Sequence, residues 1–120
     1  MSTLYSENVI DHYQNPRNWG KLKNPTKAYT LHNPLCGDSM TIDIHVEDEK
    51  IKDIAFSGSG CAISHAGASL FTEHIKGKKI SDLRNIEKSV ILQLMGIHIS
   101  PIRLKCATLA FAIVRHIITR

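Results

Sequence analysis

Between residues 40 and 56 the sequence keeps step with a β-sheet, and this stretch limits the possible folds more than any other. Met40, Ile42, Ile44 and Val46 are apolar while Thr41, Asp43 and His45 between them are polar. That is the period-two pattern of a strand with one buried and one wet face, and His45 is expected to be solvated. Asp48-Glu49-Lys50 supplies a turn, after which Ile51 to Phe56 returns as a second strand with Ile54 and Phe56 directed inward. Ala28-Tyr29-Thr30-Leu31 is a weaker strand upstream. The expected sheet is therefore a three-stranded antiparallel meander.

Helical spacing brackets this sheet. Tyr5, Val9, Ile10 and Tyr13 mark a short amphipathic N-terminal helix that Asn15-Pro16 terminates, and a loop with Trp19 and Gly20 runs on to Pro25. Such a short helix gains most of its stability by docking. Ser57-Gly58-Ser59-Gly60 ends the sheet, and Cys61-Ala62-Ile63-Ser64 opens a helix that Gly77 stops. Ser81-Asp82 can cap a further helix whose stripe is Leu83, Ile86, Val90 and Leu94, reaching Met95-Gly96. Ser100-Pro101 opens a last helix with Leu104, Ala107, Phe111, Val114 and Ile118 on its core side, and Cys106 is expected in or near its opening turns. The fold class is α+β: the three-stranded antiparallel sheet, an N-terminal helix, and C-terminal helices packed on one face. A chain of 120 residues makes one domain, residues 1–120, with a real core.

Charge and cysteine usage narrow the chemistry. The formal charge of +4 is spread along the chain without a dense basic stripe, so neither nucleic acid nor a membrane is an expected partner. No apolar run approaches the roughly 18 residues of a membrane span. The N-terminus lacks the basic and apolar regions of a signal peptide, which makes a cytoplasmic location the expectation. An odd count of 3 cysteines, with no CxxC, argues against a disulfide framework.

Where those cysteines fall is informative. Cys36 lies in Asn33-Pro34-Leu35-Cys36-Gly37-Asp38, a loop between two strands in which Gly37 frees the backbone to aim the thiol and the Asp38 carboxylate at one point. Cys61 lies near a helix start, where unpaired N–H groups and the helix dipole favour thiolate. Each thiol has two readings, an ordinary buried cysteine or a ligand. Positions at element ends beside Gly and Asp favour a shared metal-type site, although the spacings match no compact zinc signature. The Gly58-Ser59-Gly60 run lacks the lysine and spacing of a phosphate loop. His65 and His74 are expected to be surface or packed residues rather than ligands.

Taken together, these motifs resemble the iron-sulfur scaffold family that includes IscU, the N-terminal domain of NifU, and SufU. The resemblance runs from Tyr5-Ser6-Glu7-Asn8-Val9-Ile10-Asp11-His12-Tyr13 and Asn15-Pro16-Arg17-Asn18, through the Cys36 loop and Gly58-Ser59-Gly60-Cys61-Ala62-Ile63-Ser64, to Arg103-Leu104-Lys105-Cys106-Ala107-Thr108-Leu109-Ala110. It implies a carrier without turnover of its own, on which a [2Fe–2S] cluster is assembled with sulfur from a cysteine desulfurase and passed to apo iron-sulfur acceptor proteins. A frataxin-like protein is a further implied partner. Cys36, Asp38, Cys61 and Cys106 are the implied ligands, with zinc as an alternative occupant, and Cys36 or Cys106 the implied first sulfur acceptor. Gly37 and Gly60 support the site, and Lys105 is read as electrostatic support.

The departures from the pattern matter too. Lys105 stands where IscU-type members carry histidine, which together with Gly58-Ser59-Gly60-Cys61 looks more like SufU. Yet the interval from Cys61 to Cys106 is too short for the insertion usual in SufU. Ile99-Ser100-Pro101-Ile102-Arg103 stands where IscU has a Leu-Pro-Pro-Val-Lys chaperone-docking motif, and with one proline missing the resemblance does not extend to an Hsp70-type chaperone. SufU similarity implies the alternative function, a zinc-dependent sulfurtransferase that accepts persulfide sulfur.

Overall fold

The strands form one antiparallel sheet in the order β1-β2-β3, the meander expected from the alternation. In the computed structural model, which describes residues 7–33, 37–96 and 98–119, these are β1 (Lys27–Asn33), β2 (Asp38–Glu47) and β3 (Lys50–Ser59). The helices are α1 (Glu7–Gln14), α2 (Ala62–Ile75), α3 (Ile80–Leu83), α4 (Ser89–Met95), α5 (Pro101–Ala107) and α6 (Leu109–Ile118). Ile42 pairs with Phe56 and Ile44 with Ile54, so the apolar residues of β2 and β3 share one face. There α2 and α6 cover them, and Ile42, Ile44 and Phe56 are wholly buried. Each such side chain contributes on the order of 1.5–3 kcal/mol of burial.

The hairpin between β2 and β3 turns through Asp48 and Glu49, with φ of 54° and 61°. Left-handed dihedrals at both central residues match the twist of the strands, and the Ile80 amide holds the Glu49 carbonyl at 2.9 Å. Two loops close the outer edge of β3. The Phe56 amide donates to the Asn18 carbonyl and its carbonyl accepts from Gly20, both at 2.8 Å, while Ile51 exchanges bonds with Lys78 and Gly77.

Several details differ from the expectations. Asp43 is buried rather than wet, because the segment crossing the outer face of the sheet directs the Leu22 amide onto its carboxylate at 3.1 Å. His45 keeps its expected place on the wet face, with its side chain 42% exposed. In α1 the inward residues are Val9 and His12, and Ile10 and Tyr13 face solvent; Tyr5 lies outside the described residues. His12 turns inward because its Nδ1 meets the Ser69 hydroxyl of α2 at 2.7 Å, and the same hydroxyl accepts the Arg17 amide at 2.8 Å.

The expected helix from Ser81 to Met95 is two helices, α3 and α4, with Lys79 rather than Ser81-Asp82 at the first N-cap; Leu83, Ile91 and Met95 supply the buried contacts. The last expected helix also divides. Thr108 adopts φ −103° and ψ 12° and its hydroxyl bonds back to the Leu104 carbonyl at 2.8 Å, which ends α5 and starts α6. Cys106 is consequently in the last turn of α5 and not in an opening turn, so the dipole argument does not apply to it as expected.

Candidate metal centre

Asp38, Cys61 and Cys106 meet at one end of the sheet, with one oxygen and two sulfur atoms all within 4.8 Å of one another. Each comes from a different element. Asp38 is the first residue of β2, paired with Asn33 across the turn, where Gly37 takes φ +72° and its amide donates to the Asn33 carbonyl at 2.8 Å. That left-handed backbone is what a glycine between the two candidate ligands of the loop permits. Cys36 and Pro34 lie outside the described residues.

Cys61 is the N-cap of α2, with extended backbone at φ −83°. Its carbonyl accepts the His65 amide at 3.1 Å and the Ser64 hydroxyl at 2.9 Å, which fixes the first turn. The sulfur is half-buried and stands 4.0 Å from Asp38 Oδ2. Gly60 is needed for close approach: a Cβ there would meet the Ser64 hydroxyl and lie 3.1 Å from the Asp38 carboxylate. Cys106 is fully buried at the end of α5, with the Asn33 amide nitrogen 3.5 Å from its sulfur. Here too a glycine sets the spacing, since a Cβ on Gly67 would lie 2.5 Å from the Ala107 carbonyl oxygen.

The electrostatics favour a cation. Asp38 is only 3% exposed and no basic side chain forms an ion pair with it among the described residues. A buried carboxylate beside two sulfurs carries a large desolvation cost unless a positive charge joins it. Sulfur and oxygen donors at this separation suit a tetrahedral zinc ion, whose thiolate ligands stand about 3.8 Å apart given bonds of about 2.3 Å, and equally suit iron of an iron-sulfur cluster. Lys105 precedes Cys106 in α5 and is exposed.

The two histidines divide. His74 is half-buried in the last turn of α2, and burial and Lys78 hold it below its ordinary range. His65 lies close to the centre without joining it. Its half-buried ring packs against Trp19 at 5.3 Å and Phe56 at 6.3 Å, and burial lowers its pKa against the opposing influences of the Asp38 charge and the Gly58 carbonyl. These tilted and edge-on ring contacts fit the packing expected of His65. Asn33 was named only as part of the loop; its contact with Cys106 is long-range, and nothing in the local sequence signals it.

An α+β frame that gathers thiol and carboxylate donors at the end of a three-stranded sheet defines a domain with a candidate metal-binding site. The chain belongs to the NifU-like N terminal domain family, whose model matches residues 4–120. It is 44% identical over 93 residues to the iron-sulfur cluster assembly scaffold protein IscU 1 of Archaeoglobus fulgidus, an alignment spanning 78% of this chain and 61% of that protein. It is also 37% identical over 128 residues to the zinc-dependent sulfurtransferase SufU of Bacillus subtilis, covering 92% of this chain and 86% of that one. Among solved structures, the SUF-system protein FiSufU of Fervidobacterium islandicum superposes with a TM-score of 0.78 at 28% identity, over 94% of this chain and 95% of that chain. Among the described residues no helix is long and apolar enough to cross a membrane.

Proposed function

We propose that this domain is a scaffold on which [2Fe–2S] clusters are assembled and from which they are handed on, with Cys36, Asp38, Cys61 and Cys106 as ligands. The observation that carries the reading is the convergence of Asp38, Cys61 and Cys106 within 4.8 Å. A cysteine desulfurase supplies sulfur, apo iron-sulfur proteins receive the product, and a frataxin-like protein is a further partner. The scaffold turns over no substrate of its own. Asp38, a hard oxygen donor among soft sulfurs, is the weak position at which an acceptor thiol enters. Exposed Lys105 offsets part of the negative charge of the ligand set.

The second reading is a zinc-dependent sulfurtransferase, and the alignment covering 86% of the Bacillus subtilis SufU favours it. Anaerobic reconstitution with ferrous iron, cysteine and a desulfurase separates the two. A visible cluster absorbance that transfers to apo-ferredoxin supports the scaffold. Faster sulfide release with zinc retained and no transferable cluster supports the sulfurtransferase.

A further inference from the structure

We propose that Asn33 is a positioning residue of this centre: its side-chain N–H donates to the Cys106 sulfur, holding that sulfur in place and drawing off part of its charge when it binds a metal. The inference rests on the metal-centre reading above and adds a residue that contributes no ligand atom to it. What carries it is the hydrogen bond from Asn33 Nδ2 to Cys106 Sγ, 3.5 Å long, between two buried groups 73 positions apart in the chain. The strand shows how the side chain comes to be there. Tyr29 and Leu31 of β1 are half-buried against the core, and Asn33 ends the same inward row at only 5% exposure. Such a row calls for an apolar residue, and burying a carboxamide is costly unless it is hydrogen-bonded.

The backbone of Asn33 is fixed as well. It pairs with Asp38 across the turn, and its carbonyl accepts the Gly37 amide at 2.8 Å. One residue thereby joins two of the candidate ligands, Asp38 through the backbone and Cys106 through the side chain. A metal-bound sulfur carries no proton and can only accept, so the NH2 end of the carboxamide is the end that suits it. Cys106 is wholly buried, where water cannot serve as that donor. A hydrogen bond to a charged acceptor is roughly twice as strong as one between neutral groups, and Asn33 supplies it without a charge of its own. Outer partners that orient ligands affect metal affinity by about 10–100-fold when removed. Hydrogen bonds to sulfur also tune the electronic properties of the metal or cluster bound there.

Two variants separate the hydrogen bond from the packing. Asn33→Leu fills nearly the same space and cannot donate, whereas Asn33→Gln keeps an N–H on a longer stem. The probes are zinc alone, with affinity measured by chelator competition, and cobalt alone, whose sulfur-to-metal charge-transfer band reports the charge on the sulfurs; the melt of each metal-free variant is followed alongside. The Leu variant is expected to lose zinc affinity by about tenfold or more and to move the cobalt band to longer wavelength, because a sulfur without a donor gives up charge more easily. The Gln variant should recover part of both. A further measurement needs no variant: in the parent loaded with spin-active cadmium, the Asn33 side-chain amide proton should show a scalar coupling to the metal nucleus through the N–H···S bond. Parent-like zinc affinity and an unshifted band in the Leu variant would overturn the proposal. So would lost affinity with an unshifted band, which is the mark of packing alone, or no coupling in a parent that binds cadmium. A parent that binds none of these metals would overturn the metal-centre reading itself, and this proposal with it.

Discussion

Cys61 and Cys106 bring the same kind of atom to one candidate centre from opposite kinds of surroundings. Cys61 caps a regular 14-residue helix, half-exposed, with its carbonyl held twice. Cys106 ends a 7-residue helix at a backbone break and is fully buried, with the Asn33 side chain against its sulfur. One thiol is placed by helix-start geometry and is open to reagents; the other is placed by tertiary packing and is reached only if α5 opens. The difference teaches that two thiols brought to one place need not be equivalent in access or support.

The largest expected effect is kinetic. In metal-free protein, iodoacetamide should alkylate Cys61 about a hundredfold faster than Cys106, corresponding to an opening cost of roughly 3 kcal/mol for α5. Peptide mass spectrometry over time reads both sites, and denaturant should erase the difference. Equal rates in folded protein would end the contrast.

Two glycines test the supports of each side. Gly67→Ala drives a methyl to 2.5 Å from the Ala107 carbonyl oxygen, a backbone atom that cannot rotate away. It should cost about 3 kcal/mol in urea unfolding and push Cys106 out of reach. Gly60→Ala meets the side chains of Ser64 and Asp38, which can turn, so the expected cost is about 1 kcal/mol with zinc affinity still reduced. A larger loss from Gly60→Ala would reverse the assignment of which side is rigidly packed.

The smallest effect is pH dependence, and it belongs to the Cys61 side. Burial is the first cause that lowers His12, His65 and His74 below the ordinary value of 6.5, and all three lie in α1 and α2. A histidine with a lowered folded pKa takes up protons more readily when unfolded, so its contribution is intact above about 6.5 and declines as pH falls from there towards the folded values. Hydrogen exchange compared at pH 7 and pH 5 should show protection lost in α1 and α2 before α5 and α6. Uniform loss would contradict this placement.

How much of this was legible in the sequence follows the same division. The inward apolar residues Met40, Ile42 and Ile44, the turn at Asp48-Glu49 and the place of Cys61 at a helix start are local signals, and the structure has all three. Asp43 and Cys106 depart from their expected places for different reasons: Asp43 answers to the distant Leu22 amide, and Cys106 to the helix break at Thr108, two residues on. Periodicity gives no warning of a break at Thr108, since threonine is tolerated within helices and the apolar spacing continues through it. The ligand set was suggested by motif order rather than by spacing. Gly67 carries the approach of α2 to the end of α5, yet as a glycine inside a helical pattern it gave no local sign of that role.

The central claim is that Cys61 and Cys106, for all their unlike surroundings, hold one metal together with Asp38. Zinc stoichiometry and affinity of purified parent, Cys61→Ser and Cys106→Ser proteins test it most directly, with folding of each checked by its thermal melt. Loss of either sulfur from a shared centre leaves an open coordination position, so both variants should lose zinc to a chelator that the parent resists. A well-folded Cys61→Ser or Cys106→Ser protein that retains zinc as tightly as the parent would contradict the shared centre.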